Sequence, residues 1–148
     1  MGSLWNAADR DRVLGRLKAL KPDTPPQWGR FTAPQMLAHL NDALRMALGE
    51  LKPETRKTPF SRFPMNWLLV YVFPWPRSAP TSPELLARVD TAQFERERSL
   101  FPQVLDRMGN RPTDQPIPLH PAFGALSRRS WGALGYRHVD HHFRQFGV

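Results

Sequence analysis

Thr32-Ala33-Pro34-Gln35-Met36-Leu37-Ala38-His39-Leu40-Asn41-Asp42-Ala43-Leu44-Arg45-Met46-Ala47-Leu48-Gly49 carries its own helix start, helix face and helix stop. Thr32 and Gln35 have the capping-box spacing, Pro34 sits in the first turn where a missing N–H costs nothing, and Gly49 offers a left-handed terminus. At 100° per residue, Met36, Leu40, Ala43, Leu44 and Ala47 fall on one face. His39 lies at the edge of that stripe, beside Gln35 and Asp42.

Working outward, the chain repeats this pattern three more times. Asn6 offers an N-cap with Asp9 in the first turn, and Val13, Leu14, Leu17 and Leu20 make one apolar stripe that ends before Pro22. A third helix is predicted from Asp90 to about Met108, with a bend or break at Pro102 and a stop at Gly109. Ser127 caps a last helix that runs nearly to the C-terminus, with Leu126 placed to staple against Trp131. No segment alternates like a strand, and no internal repeat is visible. The prediction is an all-α four-helix bundle forming a single domain over residues 1–148.

Between the second and third helices, residues 52–83 hold seven of the sixteen prolines together with Phe60, Phe63, Trp67, Tyr71, Phe73 and Trp75. Flexible linkers are polar, so this reads as a structured Pro/aromatic-rich crossover that must bury its aromatics, with a short helix over Met65–Val72 packed across the bundle. A connection this long lets the helices it joins run parallel.

Composition narrows the chemistry. With no cysteine, disulfides, thiolate metal sites and a cysteine nucleophile are excluded, so any metal must use histidine or carboxylates. The most apolar run, Trp67 to Phe73, is far short of the roughly 20 residues of a membrane span. The N-terminus shows no basic region followed by an apolar one, so a cytoplasmic location is expected. A net charge of +8 raises the question of nucleic acid, but the arginines and lysines are scattered and no nucleic-acid partner is expected. There is no Walker motif, G-x-G-x-x-G or G-x-S-x-G.

The histidines are His39, His120, His138, His141 and His142. On the last helix His138 and His142 lie about 40° apart, on the face that also holds Trp131, Leu134 and Gln145, while Arg137, Asp140 and Arg144 take the opposite side. Two core-facing imidazoles at i and i+4 can bind one metal ion, whereas two unpaired buried rings cost about 1 to 3 kcal/mol each. His39 supplies a third ligand if the second helix packs beside the last. Three histidines leave a position open for water, as reactive zinc sites do. His141 ranks as an outer or surface residue, and His120, next to Pro121, as a loop or packing residue. Asp42, Gln35, Asp140 and Gln145 are candidates to orient a ligand ring, and the reference histidine value places proton competition with the metal near pH 6.5.

Ala33-Pro34-Gln35-Met36-Leu37-Ala38-His39 together with His138-Val139-Asp140-His141-His142-Phe143-Arg144-Gln145 resembles the DinB/YfiT-like superfamily over nearly the whole chain. Gln27-Trp28-Gly29, Pro74-Trp75-Pro76 and His120-Pro121-Ala122-Phe123-Gly124 look like its DUF1569 branch. The resemblance implies a four-helix bundle with a long crossover, a nickel or zinc ion on three histidines, here His39, His138 and His142, and a homodimer. Some members of the superfamily are thiol transferases or isomerases using a low-molecular-weight thiol.

The expected function is that of a metal-dependent enzyme, of hydrolase or thiol S-transferase class, in which one divalent ion activates a water or thiol toward a small-molecule substrate. The alternatives are a small-ligand-binding protein using the same cavity, with arginine at the mouth favouring an anion, and a metal-stapled or metal-free structural bundle. Trp67 and Trp75 are both expected near the cavity.

Overall fold

The Thr32 capping box forms as its spacing requires. The Thr32 hydroxyl accepts from the Gln35 N–H at 3.4 Å, and the Gln35 side chain accepts from the Thr32 N–H at 2.9 Å. In this computed structural model the helices are α1 (Ala7–Leu17), α2 (Ala33–Ala47), α3 (Met65–Tyr71), α4 (Pro83–Leu86), α5 (Phe94–Gly109) and α6 (Arg128–Gln145). The structure describes all residues except 53, 55–57, 78–82 and 87, and leaves aside the side chains of 83, 84 and 90, so part of the crossover lies outside the described residues. Four long helices form the bundle, and the two short ones belong to the crossover.

Contacts fix the directions. Asn41 meets Glu97 at 2.9 Å, and Glu50, just past the end of α2, meets Arg107 near the end of α5 at 3.0 Å, so α2 and α5 run parallel as the long crossover allows. Leu4 bonds Gly132 and Arg16 bonds Asp140, so α1 and α6 also run parallel. His39 faces His138 while Leu44 lies near Gly135, which sets α2 antiparallel to α6. The order is therefore up, down, down, up, around a core that includes Val13, Met36, Leu40, Phe101, Leu105, Val139 and Phe143.

Three local expectations are corrected. The helix predicted from Asp90 begins at Phe94, because a short turn over Val89–Thr91 seats Val89 in the core and lets Arg88 reach Asp42 and Glu97. Pro102 does not break α5: Phe101, Val104 and Leu105 are buried on both sides of it, and their burial outweighs the roughly 3 kcal/mol an interior proline costs. The crossover buries less than its composition demands. Val70 is buried and Tyr71 and Trp75 pack against the core, yet Trp67 stays exposed because only one side of α3 meets α6, and Phe60, Phe63 and Phe73, which flank α3, are exposed as well. Asn6 and Ser127 cap α1 and α6 as expected.

Two helical glycines separate propensity from packing. A Cβ on Gly15 would meet nothing within 4 Å, whereas one on Gly132 would collide with the indole of Trp5 and with Ser3. Gly15→Ala should raise unfolding free energy by about 0.5 to 1 kcal/mol. Gly132→Ala should lower it by about 1 to 3 kcal/mol because the N-terminal arm must shift, and urea titration of the two variants checks the opposite signs.

Candidate metal centre

His39 projects from the middle of α2, and His138 and His142 from successive turns of α6. The antiparallel packing of these helices brings one ligand atom from each ring within 4.8 Å of the others. His39 Nε2 and His138 Nε2 stand 2.9 Å apart, and all three ring-centroid separations are 4.9 Å. Nitrogens that share one ion at about 2.0 to 2.1 Å lie roughly 3 Å apart, so the pair has the spacing a metal requires.

The tautomer of His142 follows from its neighbours. Gln145 Nε2 donates to the Trp28 carbonyl at 2.7 Å, so Gln145 Oε1 is turned toward His142 Nδ1 at 2.8 Å. A carbonyl oxygen only accepts, so Nδ1 carries the ring's proton and Nε2 presents a bare lone pair. Of the four residues expected to orient a ligand ring, Gln145 alone does. Gln35 is taken by the capping box, Asp42 by Arg45 and Arg88, and Asp140 by Arg16 and Arg144.

Packing supplies the remaining order. Phe31 stacks on His39 at 5.4 Å and on His142 at 5.8 Å, and Trp75 covers His138 at 5.7 Å. Trp67 does not join them: it stacks on Tyr71 and is about half exposed, because its side of α3 faces outward. His39 Nδ1 is buried with no hydrogen-bond partner among the described residues, so its ring is held by Phe31 and by what its Nε2 meets.

His141 lies one residue from the triad, 5.3 Å from His142, between Trp28 and Trp75 at the surface. His120 is elsewhere in role. Its Nδ1 accepts from the Ala122 and Phe123 N–H groups at 3.1 Å, and its backbone pairs with Gly124, so it caps a turn packed on Trp131.

Burial lowers every one of these histidines below the usual 6.5. His39 is pushed to about 3, first by burial and then by His142; His142 and His120 are pushed to about 4, and His138 well below the ordinary value. The rings are neutral at pH 7. Proton competition in the folded protein thus lies nearer pH 4 than the 6.5 of an exposed imidazole, since the sequence carries no information on desolvation.

The fold and the site together define a helical bundle with a three-imidazole set that could hold a metal ion. The model of the DinB superfamily matches residues 6–146, and the chain belongs to that superfamily. No curated protein and no solved structure matches it. Among the described residues no helix is long and apolar enough to cross a membrane. The Gln145 and His142 pairing was readable from their i, i+3 spacing, but Phe31 and Trp28 come from loops whose path carries no periodic signal.

Lowered histidines make a signed prediction for metal-free protein. Between pH 6.5 and about 4 the unfolded chain takes up protons that the folded chain refuses, so stability falls with pH in that window. Each buried histidine should remove about 1 to 2 kcal/mol between pH 7.5 and 5.5. Urea midpoints at the two values measure this, and coincident midpoints would show that the rings are not held neutral.

Proposed function

We propose that the chain is a metal-dependent enzyme that holds one divalent ion on His39, His138 and His142 and acts on a small molecule with a water or thiol nucleophile. The observation that carries this reading is the convergence of three neutral rings, one of them locked by Gln145 with its bare nitrogen free. Neutral imidazole donors suit zinc or nickel. When bound, the ion would supply Lewis acidity, drawing the pKa of a water or thiol toward neutrality.

The chain's own groups do the rest. Gln145 fixes His142, Phe31 shields one side of the triad from water, and Trp75 covers His138. His141 stands at the mouth and is kept neutral by burial, with Arg144 adding to the effect and Asp140 opposing it. Its ring can therefore accept a proton from a nucleophile delivered there. Pairing of two copies is part of the same reading, supported by the exposed Phe63, Trp67 and Val72 of the crossover.

Metal content decides between the readings. In protein purified without a histidine tag, His138→Ala and His142→Ala should each reduce bound metal from about one ion per chain to a small fraction, measured by elemental mass spectrometry. Gln145→Ala should weaken affinity about 10- to 100-fold, and His120→Ala should leave the ratio unchanged. Full occupancy in either of the first two variants would sink the assignment. A cobalt-substituted protein whose spectrum ignores added thiols and anions would make the ion a staple without catalysis.

A further inference from the structure

Beside the triad, on the side of Trp75 and His141, lies a recess of about 280 Å³. Its walls are two indoles, Trp28 and Trp75, which flank the His141 ring at 5.9 and 6.0 Å. Its charge comes from Arg77, Arg137 and Arg144. A larger recess of about 440 Å³ between α1 and α5, with Leu14, Arg98 and Pro102 in its lining, has no histidine in its wall.

The charges do not cancel. Arg77 stacks over Trp28 at 5.0 Å and has no carboxylate partner among the described residues. Arg137 stacks over Trp75 at 5.5 Å and donates to the Leu69, Val70 and Phe73 carbonyls through its two Nη atoms. A guanidinium has five N–H donors, so two of its donors remain uncommitted after these three bonds. Arg144 shares Asp140 with Arg16, which leaves, among the described residues, one carboxylate paired with an arginine of the recess. Planar guanidiniums recognise oxyanions in a fixed fork, and indoles offer flat apolar faces.

We propose that this recess is the substrate pocket and that it takes a small molecule with a carboxylate or other oxyanion at the arginines and a flat apolar body against the indoles of Trp28 and Trp75. The inference rests on the metal-enzyme reading of the adjoining histidines. A ligand so placed lies against His141 and Trp75, and Trp75 in turn contacts His138, so the recess adjoins the triad with these two side chains between them. Specificity for charge is set by the arginines and specificity for shape by the indoles.

The test uses 1-naphthoate, its neutral isostere 1-naphthamide, and acetate, titrated by calorimetry into zinc-loaded and chelator-treated protein. Naphthoate should bind to both forms, with naphthamide and acetate each about tenfold or more weaker, and added salt should weaken the two carboxylates but not naphthamide. Arg77→Ala and Arg144→Ala, both at exposed positions, should each weaken naphthoate about 3- to 10-fold and leave naphthamide nearly unchanged, while Arg144→Lys retains most of the affinity. Trp28→Leu should weaken both naphthyl probes, and its backbone carbonyl still holds Gln145.

Equal affinity for naphthoate and naphthamide, indifference to the arginine variants, or no heat with any probe at millimolar concentration would overturn the inference. Naphthoate binding only to zinc-loaded protein, without arginine dependence, would make the ion the anion receptor and leave the metal reading intact. Arginine-dependent binding by a protein that never retains metal would do the reverse.

Discussion

Three imidazoles buried at one point cost solvation that the bundle must recover, and much of the surrounding structure is arranged around that cost. Each ring is neutral because burial penalises its charged form, and a neutral ring offers one donor and one acceptor that both need partners. His142 finds Gln145, and Gln145 finds the Trp28 carbonyl, so a loop ahead of α2 and the end of α6 are tied through one amide. His39 and His138 are left facing each other at 2.9 Å, where one proton or one cation can satisfy both. A cation satisfies the third ring as well.

That arrangement holds only if α2 keeps its rotation, and a second buried polar cluster on the same helix serves this end. Asn41 and Asp42, immediately after Leu40, face α5 and the turn before it. Asn41 donates to the Glu97 backbone and carboxylate at 2.9 Å, and Arg88 bridges Glu97 and Asp42. Burial raises the Asp42 carboxyl in spite of Arg88 and Arg45, so holding its charge there carries a desolvation cost. The cluster's value is register: sliding α2 against α5 by a turn would strand three polar groups in the core. The same register sets His39 toward α6.

What could be read before the fold was known follows the range of each signal. Helix caps and stripes are local, so Asn6, Thr32 and Ser127 were identifiable, and so was the face shared by His138 and His142. The meeting of His39 with that face depended on helix packing, which the i, i+3 and i+4 stripes of both helices constrain. Desolvation is not local: the depth that moves His39 to about 3 comes from Phe31 and the opposing helix, neither adjacent in sequence. The crossover misled for the same reason. Its aromatic content predicted burial, but only one side of α3 meets α6, so Trp67 stays half exposed, and Phe63 ahead of α3 remains 79% exposed.

The crossover's attachment sets what covers the triad on the side of Trp75. Arg137 points away from the histidine face of α6 and clamps three carbonyls at the end of α3 and just beyond, while Trp75 donates its indole N–H back to Leu69 and lays its ring on His138. A carbonyl clamp neutralises no charge, so the guanidinium that fastens the crossover also leaves a positive field over the recess beside it. Phe31 closes the opposite side with a ring that carries neither charge nor hydrogen-bonding group. The triad is thus covered by Phe31 where loop and helix meet and by Trp75 where the crossover is pinned, and the residue that pins the crossover sets the charge of the recess beside it.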